Sequence, residues 1–345
     1  MDLTTPIPQA ITTFLEILEY SRSPGTARTY RHALASFEEA LAAQNCQTIV
    51  DLKSPGVVRS LPDLFKEKNL RPATQQLYSQ AAISFYKYLE AEVDDFTINL
   101  RQIRRIFEAK TRKPGRRLPS FGMDDIRRII EYAERLFDTS ALLLEAKEIT
   151  PRQHRANLRD RAFILTLADT GLRVHEACGL TLGTVDLDEM RALVVGKGDK
   201  EAVVRFSHRA VDAIRDYLAV RAPLDARTGK QLETLPVFAR HNKAGEKRKG
   251  QGGSEAAAVL PISTTTGRNI IDSRAKEVLG ADKARQISPH KFRHYFVTSV
   301  MLASGGRIRL AQKLARHTSI TVTERYHHMT DEELDRDYDE MFNQA

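Results

Sequence analysis

The sequence predicts a two-domain, mainly α protein whose second half carries a small antiparallel β-sheet, an α+β arrangement. Three observations predict it. The 345 residues exceed the usual size of one domain, and each half is long enough to bury a core of its own. Apolar residues in the first hundred positions recur at helical spacing. In the second half two β-branched runs, "RALVVG" (191–196) and "EAVVRFS" (201–207), flank the turn Lys197-Gly198-Asp199-Lys200.

Taken in order, "IPQAITTFLEILEY" places Ile11, Phe14, Leu15 and Leu18 on one face, the pattern of an amphipathic helix. The next segment offers Ser23 as N-cap and Pro24 at the first turn, then Tyr30, Leu34, Phe37 and Leu41 at helical spacing. A third helix is expected over 55–68. A fourth follows in "RPATQQLYSQAAISFYKYLEAEV", with Leu77, Ala81, Phe85, Tyr88 and Leu89 facing inward. Residues 1–110 thus read as a helical bundle. The charge-rich "RQIRRIFEAKTRKPGRR" (101–117), in which Pro114 and Gly115 break any helix, reads as the joint between domains, with 111–117 as its basic linker.

The second domain is expected over 118–330. "LPSFGMDDIRRIIEYAERLF" opens a helix with Ser120 as cap, residues 138–157 read as an insertion or helical extension, and "LRDRAFILTLADTG" is a buried helix ending at Gly171. After the hairpin, helices are expected at 208–221, about 263–279, 290–304 and 307–315. Residues 241–258 read as a flexible basic loop. No internal repeat is found.

Charge points to a partner. The chain carries a net +8, but "DEELDRDYDEMFNQA" (331–345) holds seven acids against one Arg, a local −6, so the first 330 residues carry +14. Such a surplus favours a polyanion, and nucleic acid fits best. There is no apolar run near 18 residues, no signal-peptide core and no lipidation signal, so a soluble, cytoplasmic protein with no membrane partner is expected. Cys46 and Cys178, one in each half, offer neither a disulfide framework nor a zinc set and are expected as buried thiols.

Four polar clusters in the second half bear on chemistry: Arg173 in "TGLRVHEACGL", Lys197 in the hairpin, His290 and Arg293 in "SPHKFRHYFVTSV", and His317 with Tyr326 in "LARHTSITVTERYHHM". Each alone is commonly structural or solvated. Together, two guanidiniums, imidazoles, an ammonium and a phenol are the groups that break a phosphodiester without metal. The Arg pair can clamp non-bridging oxygens and stabilise the pentacoordinate transition state. Tyr326 can serve as nucleophile, but its free pKa near ~10 demands a proton acceptor and a cationic setting. His290 can take that proton and Lys197 can deliver one to the departing 5′-oxygen.

These residues resemble the tyrosine recombinase family, the phage-integrase and Xer-like site-specific DNA recombinases. The likeness lies in "TGLRVHE", "GKGDKEAVVRF", "HKFRH" and "ARHTSITVTERY", in their order, and in their spacing: 24 residues from Arg173 to Lys197, 24 from Arg293 to His317, nine from His317 to Tyr326. Residues 8–113 also resemble the family's helical core-binding domain, a DNA-binding unit of the SAM-like type. Two positions depart: Ala315-Arg316-His317 stands where Leu-Gly-His is usual, and Phe292 where Leu is commoner.

The resemblance implies that Tyr326 attacks the scissile phosphate to give a 3′-phosphotyrosyl link and a free 5′-hydroxyl, with no cofactor, and that exchange runs through a Holliday junction for integration, excision or resolution. It implies that Arg173 and Arg293 hold the phosphate, His317 donates to it, Lys197 protonates the leaving oxygen, His290 assists at Tyr326, and Glu176 supports the pocket. Basic residues expected on DNA are Arg112, Lys113, Arg116, Arg117, Lys200, Lys291 and Arg316, with a two-domain clamp around the duplex. The implied partners are double-stranded DNA at specific sites, further copies of the chain as a tetramer, and an accessory protein. The acidic 331–345 segment, with Leu334, Tyr338, Met341 and Phe342 at near-helical spacing, is expected to dock on a neighbouring protomer.

Other readings differ in their observable consequences. A type IB topoisomerase would relax supercoils without site preference, a telomere resolvase would leave hairpin ends, and a silent architectural protein would bind DNA without cutting it. A zinc site at His290 and His294 lacks the Glu of a zincin motif and any Cys cluster.

Overall fold

The computed structural model describes residues 1–22, 24–110, 123–196, 201–240, 259–317, 320 and 323. The chain divides into two compact units, Met1–Arg116 and Arg117–Ala345.

In the first unit, α1 (Ile7–Ser21) and α2 (Pro24–Ala42) bury the faces their spacing predicts, with Ile11, Phe14, Leu34, Phe37 and Leu41 in one core. Ser23 lies outside the described residues. The helix expected over 55–68 is instead two, α3 (Pro55–Val58) and α4 (Ser60–Glu67). The break has a local cause. Pro62 has no N–H to give the Val58 carbonyl, so the helical ladder cannot run through it. The Ser60 hydroxyl donates to the Val57 carbonyl at 2.6 Å at this joint.

In α5 (Pro72–Glu92), Ala81, Phe85 and Leu89 are buried as expected, whereas Leu77 is exposed and Tyr86 is fully buried. The buried stripe passes through Ser79, Ala82, Ile83 and Tyr86, which turns Leu77 outward. A second correction concerns the expected linker. Leu100–Lys110 forms α6, with Ile103 and Phe107 buried in the first unit's core and the Asn99 side chain accepting from the Gln102 amide at its start. Residues 111–122, and with them Arg112, Lys113, Arg116, Arg117 and Ser120, lie outside the described residues. Cys178 is buried, but Cys46 is only partly so.

The second unit is built around α8 (Pro151–Thr170), flanked by α7 (Met123–Glu145) and α10 (His208–Asp225). From Leu158 to Ala168 α8 is buried almost all round, as a central helix must be. Its start is a capping box: the Thr150 hydroxyl accepts from the Gln153 amide at 3.2 Å, and the Gln153 side chain accepts from the Thr150 amide at 2.8 Å. Residues 138–157 therefore belong mostly to the extended ends of two packed helices rather than to an added loop.

The sheet has three antiparallel strands in the order β1 (Val185–Asp186), β2 (Arg191–Val195) and β3 (Glu201–Arg205), the first too short to read from periodicity. Leu193 pairs with Val203, and Ala192, Val194 and Val204 face the core. Lys197 and Lys200, expected in a tight turn, and residues 241–258, expected as a loop, lie outside the described residues.

The remaining helices are the short α9 (Val174–Cys178), then α11 (Thr264–Leu279), α12 (Ala281–Ala284), α13 (Pro289–Ala303) and α14 (Ile308–Ala315). Gly267 lets α11 approach α9, since a Cβ there would lie 2.9 Å from Phe163 and 3.0 Å from Val174. No described helix is long and apolar enough to cross a membrane.

Candidate active site

The site forms where α8 ends. Gly171 closes that helix in the left-handed conformation (φ 61°), which lets the chain turn at once into Leu172 and Arg173. Arg173 then precedes α9, and the Glu176 carboxylate, three residues on, accepts from the Arg173 amide at 2.8 Å and from Arg173 Nη1 at 3.0 Å. Glu176 is enclosed: its side chain is 1 % exposed.

Arg293, on α13, is buried. Its guanidinium donates to the Gly171 carbonyl at 2.5 Å and to the Ala315 carbonyl at the end of α14. One side chain thus ties the segment carrying Arg173 to the segment carrying Arg316 and His317. Arg173, His290 and Arg293 line a single open cavity of about 530 Å³, together with Arg268, Asn269 and Asp272 from α11. The α11 residues were not singled out from sequence. The tight Gly267 preceding Arg268 was the available signal, because it marks a helix pressed against α9.

His290 sits one turn before His294, and the two rings meet edge-on with centroids 4.5 Å apart. Partial desolvation, then the nearby positive charges of Arg293, Arg173 and Lys291, push the His290 imidazole below its ordinary value. Burial first, then His290, Lys291 and Arg293, push His294 down to about 4. His317 is likewise pushed down to about 4, by burial first and then by Arg293 and Arg173, and its Nδ1 lies 2.9 Å from the Thr323 hydroxyl. In all three the surroundings disfavour the charged imidazolium. Among the described residues no group of His, Cys, Asp and Glu forms a metal cluster, so a zinc reading gains nothing.

Arg316, expected on DNA, turns inward. Its Nη2 donates to Glu176 Oε2 at 3.0 Å, and its side chain is 13 % exposed. Burial pushes the Glu176 carboxyl up, but the Arg173 amide and the Arg316 and Arg173 guanidiniums outweigh it and hold the group below the usual carboxylate range. Lys291 is half-buried on α13. The fold therefore gathers Arg173, Glu176, His290, Arg293 and His317 in one region of the second unit, while Lys197 and Tyr326 fall outside the described residues.

Comparison with known proteins bears on the same region. The model of the phage integrase family matches residues 134–333. Tyrosine recombinase XerC of Listeria monocytogenes serotype 4b is 30 % identical over 320 residues, 93 % of this chain and 92 % of the relative. The XerC of Pelobacter propionicus is 30 % identical over 344 residues, covering 99 % and 97 %, and XerD of Brucella suis is 29 % identical over 337 residues, 94 % of each. In shape, the chain is similar to XerH recombinase bound to its palindromic difH substrate (TM-score 0.64, 17 % identity, 91 % and 79 % covered). It is similar too to a λ integrase dimer on a core site (TM-score 0.57, 14 % identity, 94 % and 96 % covered). With a family model spanning more than half of its length and relatives matched almost end to end, the chain belongs to the phage integrase family, that of the tyrosine recombinases.

Proposed function

We propose that the second unit cleaves and rejoins DNA with Tyr326 as nucleophile and Arg173, His290, Arg293 and His317 as the phosphate pocket. As a member of its family the chain is a site-specific recombinase, an enzyme of DNA strand exchange. The observation that carries the residue assignment is the Arg293 anchor. By bonding both Gly171 and Ala315 it holds the phosphate-binding segments together before substrate arrives, the preorganisation that electrostatic catalysis requires.

In the reaction the Tyr326 oxygen forms a bond to phosphorus as the bond to the 5′-oxygen breaks. The phenolic proton passes to His290, whose surroundings favour the neutral imidazole that can accept it. Lys197 protonates the leaving oxygen. In the tautomer in which Thr323 donates to His317 Nδ1, the imidazole proton sits on Nε2, the form required to donate to a non-bridging oxygen. The reverse reaction, with a 5′-hydroxyl from a second duplex, exchanges strands and conserves the phosphodiester energy.

The first unit serves as the core-binding domain, and 111–117 follows DNA phosphates, so affinity falls steeply with salt. Four copies act on paired sites. The relatives of known structure that share the shape include complexes with DNA, one of them a dimer on a core site.

The proposal is tested on a supercoiled plasmid carrying two copies of the DNA that flanks this chain's coding sequence. Wild type is expected to exchange strands between the copies, and Tyr326→Phe to bind without exchange. Relaxation without exchange would instead mark a topoisomerase, and binding without either reaction would mark an architectural protein.

A further inference from the structure

Arg316 incurs two local costs. Its backbone lies in the left-handed region (φ 56°, ψ 44°), which disfavours any residue with a Cβ. Its Nε is buried, with no hydrogen-bond partner among the described residues. Such features persist where something else requires them. What Arg316 gains is one contact across 140 residues of chain, Nη2 on Glu176 Oε2 at 3.0 Å.

That contact lies directly behind Arg173. The Glu176 carboxylate receives Arg173 Nη1 on one oxygen and both the Arg173 amide and Arg316 Nη2 on the other. Held by Arg173 alone, Glu176 would neutralise the guanidinium that is to hold a phosphate. Shared between two guanidiniums, the carboxylate leaves the three groups with one net positive charge. It still fixes one edge of the Arg173 fork while Arg173 lines the cavity.

We propose that Arg316 is a positioning residue: it locks Glu176, and through Glu176 it sets the orientation and free charge of Arg173 for the scissile phosphate. The inference rests on the reading of Arg173 as a phosphate ligand given above. Arg316 need not touch DNA to act in this way, which separates it from the direct phosphate contact its position in the sequence suggested.

The test compares wild type, Arg316→Gly, Arg316→Lys, Glu176→Gln and the Arg316→Gly/Glu176→Gln double variant on a nicked duplex that traps the covalent intermediate. Glycine suits the left-handed backbone, so Arg316→Gly relieves strain, and a loss of activity cannot be assigned to a damaged turn. Arg316→Gly is expected to bind DNA within about threefold of wild type and to form adduct about tenfold more slowly, with Arg316→Lys between them. In the Glu176→Gln background, Arg316→Gly should cost less than about threefold more, because the two changes cut the same link. Wild-type rates in Arg316→Gly, or full additivity with Glu176→Gln, would overturn the proposal.

A second readout does not depend on activity. The charged groups acting on Glu176 are Arg173, from its own segment, and Arg316, from the end of α14; Arg173 in turn faces His290 and His317. Carboxyl NMR should find the Glu176 titration moved to higher pH in Arg316→Gly, and an unmoved titration would refute the link. If wild type itself formed no adduct, the reading of the site would fail, and this titration would still decide whether Arg316 holds Glu176.

Discussion

Gly171 shows how a single residue shapes the candidate site. A Cβ at this position would lie 2.4 Å from Phe296 Cδ1, on a backbone with φ 61°. Gly171→Ala is therefore expected to lower the stability of the second unit by about 2 kcal/mol or more, from left-handed strain and overpacking together. Cleavage should fall further than binding, since the Gly171 carbonyl anchors Arg293 and the next turn presents Arg173. Urea denaturation and adduct formation on the same variant check both parts. At this scale the sequence singled out Arg173, His290, Arg293 and His317 by residue type and by the family resemblance, and the fold brings them into one region. The burial of Glu176 was not legible, because its partner Arg316 stands far along the chain.

At the scale of elements, the ties between helices decide stability. Asp160, on α8, is nearly buried and accepts from Arg159 Nη2 at 2.6 Å and from Arg274 Nη2 of α11 at 2.8 Å, while Arg274 also bonds Asn157 and Glu277. Asp160→Ala leaves two poorly exposed guanidiniums short of a partner and is expected to cost about 3 kcal/mol. Asp160→Asn should cost less, because the amide oxygen still accepts; chemical denaturation of the two variants gives the comparison. Helix periodicity made most elements readable. It failed where a local rule was overridden by its surroundings. The signal for α6 was present in Ile103, Ile106 and Phe107, but the charges between them and the nearby Pro114 and Gly115 suggested a linker. Pro62 was equally visible, and its missing N–H explains why one expected helix is two. The two-residue β1 carries no periodic signal, since it exists only by pairing with β2.

At the scale of the whole molecule, charge governs behaviour with pH and with DNA. The imidazoles of His294 and His317 are pushed down to about 4 in the folded chain, against an ordinary value near ~6.5 once unfolded. Between those limits the unfolded chain binds more protons, so stability is full above the unfolded value and is lost as pH falls from about 6.5 toward 4. The urea midpoint of the second unit should accordingly drop between pH 7 and pH 5, and His294→Asn should flatten part of that slope. An unchanged midpoint would mean that these rings titrate as if solvated. The presence of two units was legible in chain length, while the change of character beyond residue 100 begins inside the first unit, in α6.

The central claim, that this chain joins itself covalently to DNA through Tyr326, is tested most directly by digesting the trapped protein–DNA complex with nuclease and protease and sequencing the modified peptide. The expected result is a nucleotide remnant linked through its 3′-phosphate to Tyr326, with a free 5′-hydroxyl on the other strand end. A remnant on a different residue, or a 5′-phosphate link, would contradict it.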